Sequence, residues 1–223
     1  MLPRYIQIGS SGYEAMPLGE RSVLFQLVSP MVSPREIYYQ AESIKKMLGT
    51  QVADMVLAYA SFCLHLAEGS ALDLIAHLPE KIRSPTAHGS VSTFVWPICY
   101  ELGLDWLRLE QHTGLSREAI IHHHLQAEYE VAMIGFLPGF VYLSGLDVRL
   151  ACPRLENPRV HVPAGAVGIG GSQAGLYSLP SPGGWNLLGM TDINITALES
   201  PPNPGDRVRW RRATQDELIC LNS

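Results

Sequence analysis

A chain of 223 residues with 47% hydrophobic content is long enough to bury a sizeable core, as one large domain or two small ones. Its 16 Lys and Arg against 21 Asp and Glu give a net charge of -5, which offers no basic field to a phosphate backbone; nucleic acid and anionic membrane surfaces are excluded as principal partners. The opening "MLPRYIQIGSSGYEAMP" lacks the uninterrupted apolar core of a signal peptide, and no run approaches the ~18 apolar residues of a membrane span, so a cytoplasmic protein is expected.

"RSVLFQLV" reads as a strand, and Ser33-Pro34-Arg35-Glu36 then supplies an N-cap, a proline at the first helical position and a capping-box glutamate. Ile37, Ala41, Ile44 and Leu48 follow at helical spacing, and Gly49 closes the helix. "ADMVLAYASFCLHLA" predicts two strands with a tight connection, and Ser70 to Leu78 a short helix. The order βαββα suggests a ferredoxin-like α/β sandwich over residues 1–88. "PEKIRSPTAHGS" is polar and turn-rich, which places a domain boundary there.

Beyond it "VSTFVWPICY" is strand-like, Asp105 to His112 and Ser116 to Gln126 look helical, and "EYEVAMIGF" returns to strand. From Gly135 to Arg212 only short strands between Gly and Pro turns are found, the pattern of a closed or nearly closed β-barrel over residues 89–223. The fold class expected for the whole is therefore α+β.

The glycine- and proline-rich stretch from Val162 to Thr191 is too apolar for a flexible linker. It does not fit G-x-G-x-x-G, because the position five beyond Gly168 is Gln173. A P-loop needs a lysine, and Lys45, Lys46 and Lys81 all lie outside any glycine-rich setting. "GGSQAG" around Ser172 is a poor nucleophile elbow, since Ala174 takes the fifth position and "LYSLPSPGG" cannot form the helix that follows one.

His122, His123 and His124 point about 100 degrees apart on a helix and cannot share one ion, so a solvated helix face is expected there. Cys63, Cys99, Cys152 and Cys220 form no CxxC pair; reduced, mostly buried thiols are expected and no metal site. His161 sits among turn and strand residues with Arg154 and Arg159 near in sequence, where acid-base work, anion binding or a structural hydrogen bond are all open to it. In "GFLPGFVYLSGL", Phe136, Phe140 and Tyr142 stand beside Pro138 and two glycines. With Arg154, Arg159, Gln173, Tyr177 and Trp185 they suggest a ligand groove.

Taken together, "GFLPGFVYLSGLD", "CPRLENPRVHVPAGAVGIGGSQAGLYSLPSPGGWNLLGMT" and "PGDRVRW" closely resemble the family of the 5-oxoprolinase B component (PxpB), also called KipI and allophanate hydrolase subunit 1. The likeness extends back through "WPICYELGLDW", "TGLSREAIIHHHLQAEYEV" and "PLGERSVLFQL". It implies an N-terminal α/β domain followed by a cyclophilin-like β-barrel. It also implies one part of a bacterial, ATP-dependent enzyme, in which the B and C components act with a separate A component to open the lactam of 5-oxoproline to glutamate. ATP would be bound by, or shared with, the partner chain.

Activating a stable amide calls for cationic or N–H donors near its oxygen, so Arg154, Arg159, His161 and the Gly170, Gly171 to Gln173 backbone become candidates, with Phe136, Phe140, Tyr177 and Trp185 as walls. The resemblance also implies an alternative, inhibition of a sensor histidine kinase through its helical dimerisation region, and a weaker link to allophanate hydrolysis. The chain departs from the family pattern at Glu101, which follows Tyr100 directly, and at His161, Ala166, Ala174 and Ser178.

Overall fold

In a computed structural model, residues 3–28, 32–84 and 90–220 are described, and they fall into two compact units, residues 1–90 and 91–223. The junction expected after residue 88 lies outside the described residues. We propose that each unit is an independent folding domain. A fragment beginning at residue 90 is then expected to be soluble and to melt cooperatively; an insoluble product without a melting transition would refute the division.

The first unit contains β1 (Arg4–Ile8), β2 (Ser11–Pro17), β3 (Ser22–Leu27), α1 (Pro34–Leu48), β4 (Val52–Leu57), β5 (Ser61–Leu66), α2 (Ala71–His77) and β6 (Lys81–Ile82). Alternate residues of the hairpin strands, Ile6, Ile8, Tyr13, Ala15, Val23 and Phe25, are buried together, as the two-residue period of a strand requires. The helix α1 lays Ile37, Ala41 and Ile44 on that face. Its start follows the predicted chemistry in part: the Ser33 side chain accepts from the Glu36 N–H and Pro34 occupies the first turn, but the Glu36 carboxylate accepts from Ser10 and Gln40 instead of closing a capping box on Ser33.

The β-α-β-β-α order read from the sequence is present as β3, α1, β4, β5 and α2. The sheet, however, has six strands in the order β4-β5-β3-β2-β1-β6, so the β1–β2 hairpin lies between β3 and β6 where a four-stranded ferredoxin-like sheet would have nothing. Ile6 and Ile8 alternate with Tyr5 and Gln7, a signal available in the sequence, whereas β6 pairs through two residues and is too short for periodicity to register.

The second unit holds β7 (Thr93–Ile98), α3 (Trp106–Thr113), α4 (Arg117–Gln126), β8 (Tyr129–Ile134), β9 (Val141–Ser144), β10 (Arg159–Val162), β11 (Ala166–Gly170), β12 (Gln173–Leu176), β13 (Ser181–Gly183), β14 (Asn186–Met190), β15 (Arg207–Arg212) and α5 (Gln215–Cys220). Seven of these strands form one sheet in the order β14-β11-β12-β9-β8-β15-β7. Its two ends meet, because Cys99, just past β7, and Met190 of β14 exchange both backbone hydrogen bonds at 2.8 and 3.0 Å. The sheet thus curls on itself around Val131, Leu143, Val167, Ile169, Leu176 and Val208, consistent with the cyclophilin-like barrel expected, and Trp106, Leu109, Ile120 and Ile121 of the helices join the same core. Strands β10 and β13 form a separate two-stranded ribbon.

The three consecutive histidines are not one solvated face. His122 is exposed and His123 approaches Asp147 at 3.6 Å, while His124 is fully buried with Nδ1 2.8 Å from the Tyr100 hydroxyl. Helical geometry turns them apart as expected, but the third turns inward. Cys63, Cys99 and Cys152 are buried free thiols. Among the described residues, no helix is long and apolar enough to cross a membrane.

Candidate functional site

On the second unit a cleft of about 180 Å³ opens between the turn after β8, the loop leading into β10 and the loop joining β13 to β14. Phe140, Tyr177 and Trp185 make its floor and are almost wholly buried, with Tyr142 beside them. Phe140 is the hub: its ring lies 4.9 Å from Tyr177, 5.7 Å from Trp185 and 4.6 Å from Tyr142, the first two edge-on. Phe136 forms the lip, 5.6 Å from Phe140 and 62% exposed. Its φ of 72° makes it the one non-glycine residue of left-handed backbone among those described, a conformation costing on the order of 1–3 kcal/mol that marks functional turns.

The glycines explain how so many rings fit. A Cβ on Gly170 would stand 2.7 Å from the Trp185 indole, and one on Gly175 would stand 2.8 Å from the same ring, so the indole lies flat on bare backbone. Gly171, at φ +67°, opens the two-residue turn between β11 and β12, where such hairpins need a left-handed position.

Arg154 supplies the cleft's charge, its guanidinium 5.4 Å from the centre of the Trp185 ring. Burial raises the Tyr142 and Tyr177 hydroxyls above the ordinary phenol range and the nearby Arg154 opposes that rise, so both stay neutral donors near pH 7. The backbone around Arg154 is pinned although it is not part of a sheet. The Asn186 Nδ2 donates to the Pro153 carbonyl at 2.9 Å, and the Leu155 N–H donates to the Gly184 carbonyl at 2.6 Å. No Ser, Cys, Lys, His, Asp or Glu is among the described residues lining the cleft. Such a surface can hold a flat, partly apolar, anionic molecule, with the Tyr142 and Tyr177 hydroxyls as its neutral polar groups.

Residues 13–203 match the family described as carboxyltransferase domain, subdomain C and D. The chain is 35% identical over 212 residues to the 5-oxoprolinase B component of Escherichia coli O157:H7, covering 91% of this chain and 96% of that protein. The chain belongs to the 5-oxoprolinase B-component family. The B component of Bacillus subtilis is 41% identical over 127 residues, which is 54% of this chain and 53% of that one. Among solved structures, TTHA0988 superposes with a TM-score of 0.69 at 34% identity; the match spans 87% of this chain but only 40% of that longer one.

Within this member of the B-component family, Phe136, Phe140, Tyr142, Arg154, Tyr177 and Trp185 converge on one cleft. The remaining candidates stand elsewhere. Arg159 is bound to Asp105 at 2.5 Å and donates to the Trp185 carbonyl, so it is neutralised and does not face the cleft as a free cation. His161 is exposed on β10, outside the cleft.

Gly170 and Gln173 pair with each other across the β11–β12 hairpin, and the Gly171 N–H donates to the Cys152 carbonyl at 2.8 Å. The Gly171 N–H is therefore taken by Cys152, and Gly170 and Gln173 are held in the hairpin. Leu155, Pro158, Pro182, Gly183 and Gly184 complete the lining, and sequence reasoning misses them. They belong to "PRLENP" and "PSPGGW", two turn-rich strings whose meeting across the barrel has no local signature.

Proposed function

We propose that this chain is the substrate-holding, non-P-loop component of an ATP-dependent 5-oxoprolinase, acting with a C-like partner chain and a separate A component. The observation that carries this reading is the cleft itself: aromatic walls and a single guanidinium, with no nucleophile or base among its lining residues. A site of that composition suits binding and orientation, which supports a division of labour in which a partner chain supplies reacting groups. At about 180 Å³ it is smaller than the ~300–1,000 Å³ clefts that hold drug-sized ligands, which favours a small molecule over a nucleotide in this cleft. In the reaction water adds across the lactam C–N bond, the carbonyl carbon becoming a carboxylate and the nitrogen an amine. Phosphoryl transfer from ATP to the amide oxygen, with release of ADP, would activate the carbon to attack by water, and the phosphoryl group would leave as inorganic phosphate when the ring C–N bond opens.

The expected result is that the purified chain releases no ADP with 5-oxoproline. Co-expression with the adjacent gene for the C-like partner, and addition of the A component, should produce 5-oxoproline-dependent ADP and glutamate. Turnover by the chain alone, or none by the full set, would sink this reading. A second reading draws on Phe136, an exposed aromatic on a strained turn, which suits an anchor for a protein helix. In that case the chain inhibits a sensor histidine kinase, and an orphan gene beside a kinase gene, with kinase binding lost in Phe136→Ala, would favour it.

A further inference from the structure

A second cleft, of about 340 Å³, lies within the first unit and is lined by Tyr39, Glu42, Ser43, Lys46, Arg83 and Ser84. One wall is helical. Tyr39, Glu42, Ser43 and Lys46 recur at i, i+3, i+4 and i+7 of α1, a stripe separate from the Ile37, Ala41 and Ile44 stripe that faces the core. The facing wall is Arg83 and Ser84, which continue the chain from β6. Both walls are tied to the turn between β1 and β2. Gly9, at φ +58°, donates its N–H to the Ile82 carbonyl at 2.9 Å, and Ser84 packs on its bare backbone, since a Cβ at Gly9 would stand 2.9 Å from the Ser84 Cβ. On the helix side the Ser10 hydroxyl donates to the Glu36 Oε1 at 2.9 Å, and Gln40 Nε2 donates to the Ser11 Oγ at 2.9 Å. One turn therefore sets the spacing of the two walls, which is how a recognition site is preorganised.

The cleft is cationic. Lys46 and Arg83 reach it from opposite walls, and among the described residues neither has an ion-pair or hydrogen-bond partner. Glu42 is the one carboxylate among the described lining residues, and Lys45 stands 3.8 Å from it, so cations exceed carboxylates by two around the opening. The Ser43 hydroxyl donates to the Tyr39 carbonyl at 2.7 Å, which leaves the Ser84 hydroxyl as the neutral donor of the pair. Two cations and a hydroxyl donor call for a ligand with two negative charges and several acceptor oxygens. A phosphate monoester has both, because its second pKa lies near ~6 and it carries three strong acceptors, whereas a carboxylate has a single charge. We propose that this cleft binds the phosphoryl group of a small phosphate monoester between Lys46 and Arg83, with Ser84 donating to it and the organic part against Tyr39. A guanidinium fork matches such oxygens in pairs, and an ammonium meets them as a point charge. This site is separate from the aromatic cleft and does not rest on the function proposed for that one.

The test uses the full-length, isotope-labelled chain with its backbone amides assigned, titrated at constant ionic strength and about pH 7.5, where the monoester is a dianion. The probes are phenyl phosphate, orthophosphate and benzenesulfonate, the last carrying the same ring with one charge. The Gly9, Lys46, Arg83 and Ser84 amides are expected to shift together and to saturate with phenyl phosphate, which should bind at least about fivefold more tightly than benzenesulfonate. Phenyl phosphate should also bind more tightly than orthophosphate; the reverse order would give the cleft to the free anion and overturn the ester. Lys46→Met and Arg83→Met should each weaken phenyl phosphate about fivefold, a factor limited by solvent screening because both side chains are exposed. Lys46→Arg and Arg83→Lys should keep most of the affinity, and the melting temperature should not move in any of the four. Shifts that grow without saturating, equal affinity for benzenesulfonate, or unchanged affinity in both Met variants would overturn the proposal. None of these outcomes bears on the 5-oxoprolinase reading, which stands or falls on ADP release by the assembled complex.

Discussion

Asp105→Ala is expected to destabilise the second unit by about 3 kcal/mol or more, the range for breaking a buried ion pair from one side. Asp105 is 8% exposed, and its two carboxylate oxygens do different things. One accepts from Arg159 at 2.5 Å, and the other accepts the backbone N–H of Leu187 at 2.6 Å. A single carboxylate therefore ties the start of α3 to β10 and to β14, immediately behind Trp185. Truncation leaves a buried N–H without a partner and a largely buried guanidinium without its counter-ion. In thermal unfolding this corresponds to a fall of roughly 10 °C for a unit of this size. A shift of only a degree or two would show that the pair contributes little. The same geometry sets the expectation for Arg159→Ala: it should lower the melting temperature while leaving the activity per folded molecule of the assembled complex within about twofold.

Stability is expected to fall by about 2 kcal/mol between pH 7 and pH 5 on account of His124 alone. Burial holds this imidazole neutral and pushes its pKa down to about 3, whereas an unfolded chain returns it to about 6.5. The folded pKa is the lower one, so between those values the unfolded state binds one more proton. The stabilisation is complete above pH 6.5 and is lost progressively as pH falls towards 3, by about 1.4 kcal/mol per unit. The rings packed around His124 are Tyr100, Tyr129 and Trp210, and burial raises both phenols, so none of them titrates in this window. Carboxylates elsewhere also weaken the fold in acid, which is why the comparison needs His124→Gln. Denaturant unfolding at pH 7, 6 and 5 should show the wild type losing about 2 kcal/mol more than the variant. Parallel pH profiles would refute the assignment to His124.

Much of the fold could be read locally. Ser33 caps α1 by accepting from the Glu36 N–H and Gly49 closes it by donating to the Lys45 carbonyl, both within a few residues, whereas the Glu36 carboxylate, read as the other half of a capping box, accepts from Ser10 and Gln40. Alternation in "RSVLFQLV" placed β3, and the Gly and Pro turns after Gly135 pointed to a barrel of short strands. The aromatic walls were legible for a related reason. Phe140 and Tyr142 lie two apart, and large rings among glycines need a surface to rest on.

The polar half of the site was not legible, because it is settled by competition for partners. Arg154 and Arg159 stand five residues apart and look alike in the sequence, yet Asp105, 54 positions upstream of Arg159, neutralises that one and leaves the other to face the cleft. In the same way the Gly170 to Gln173 backbone looks like a cradle of donors until Cys152 takes the Gly171 N–H and a hairpin pairs Gly170 with Gln173. His122, His123 and His124 share a residue type and a helix, and only the packing of Tyr100, Tyr129 and Trp210 decides which one loses water. By itself the sequence determined the two-part α+β organisation, the ends of the helices and the family, since these follow from contacts a few residues apart and from long motifs. Which cation stays free, which histidine is buried and which loops meet over Trp185 were decided by tertiary structure, because hydrogen-bond and charge partners are assigned by proximity in space, across separations the sequence does not display.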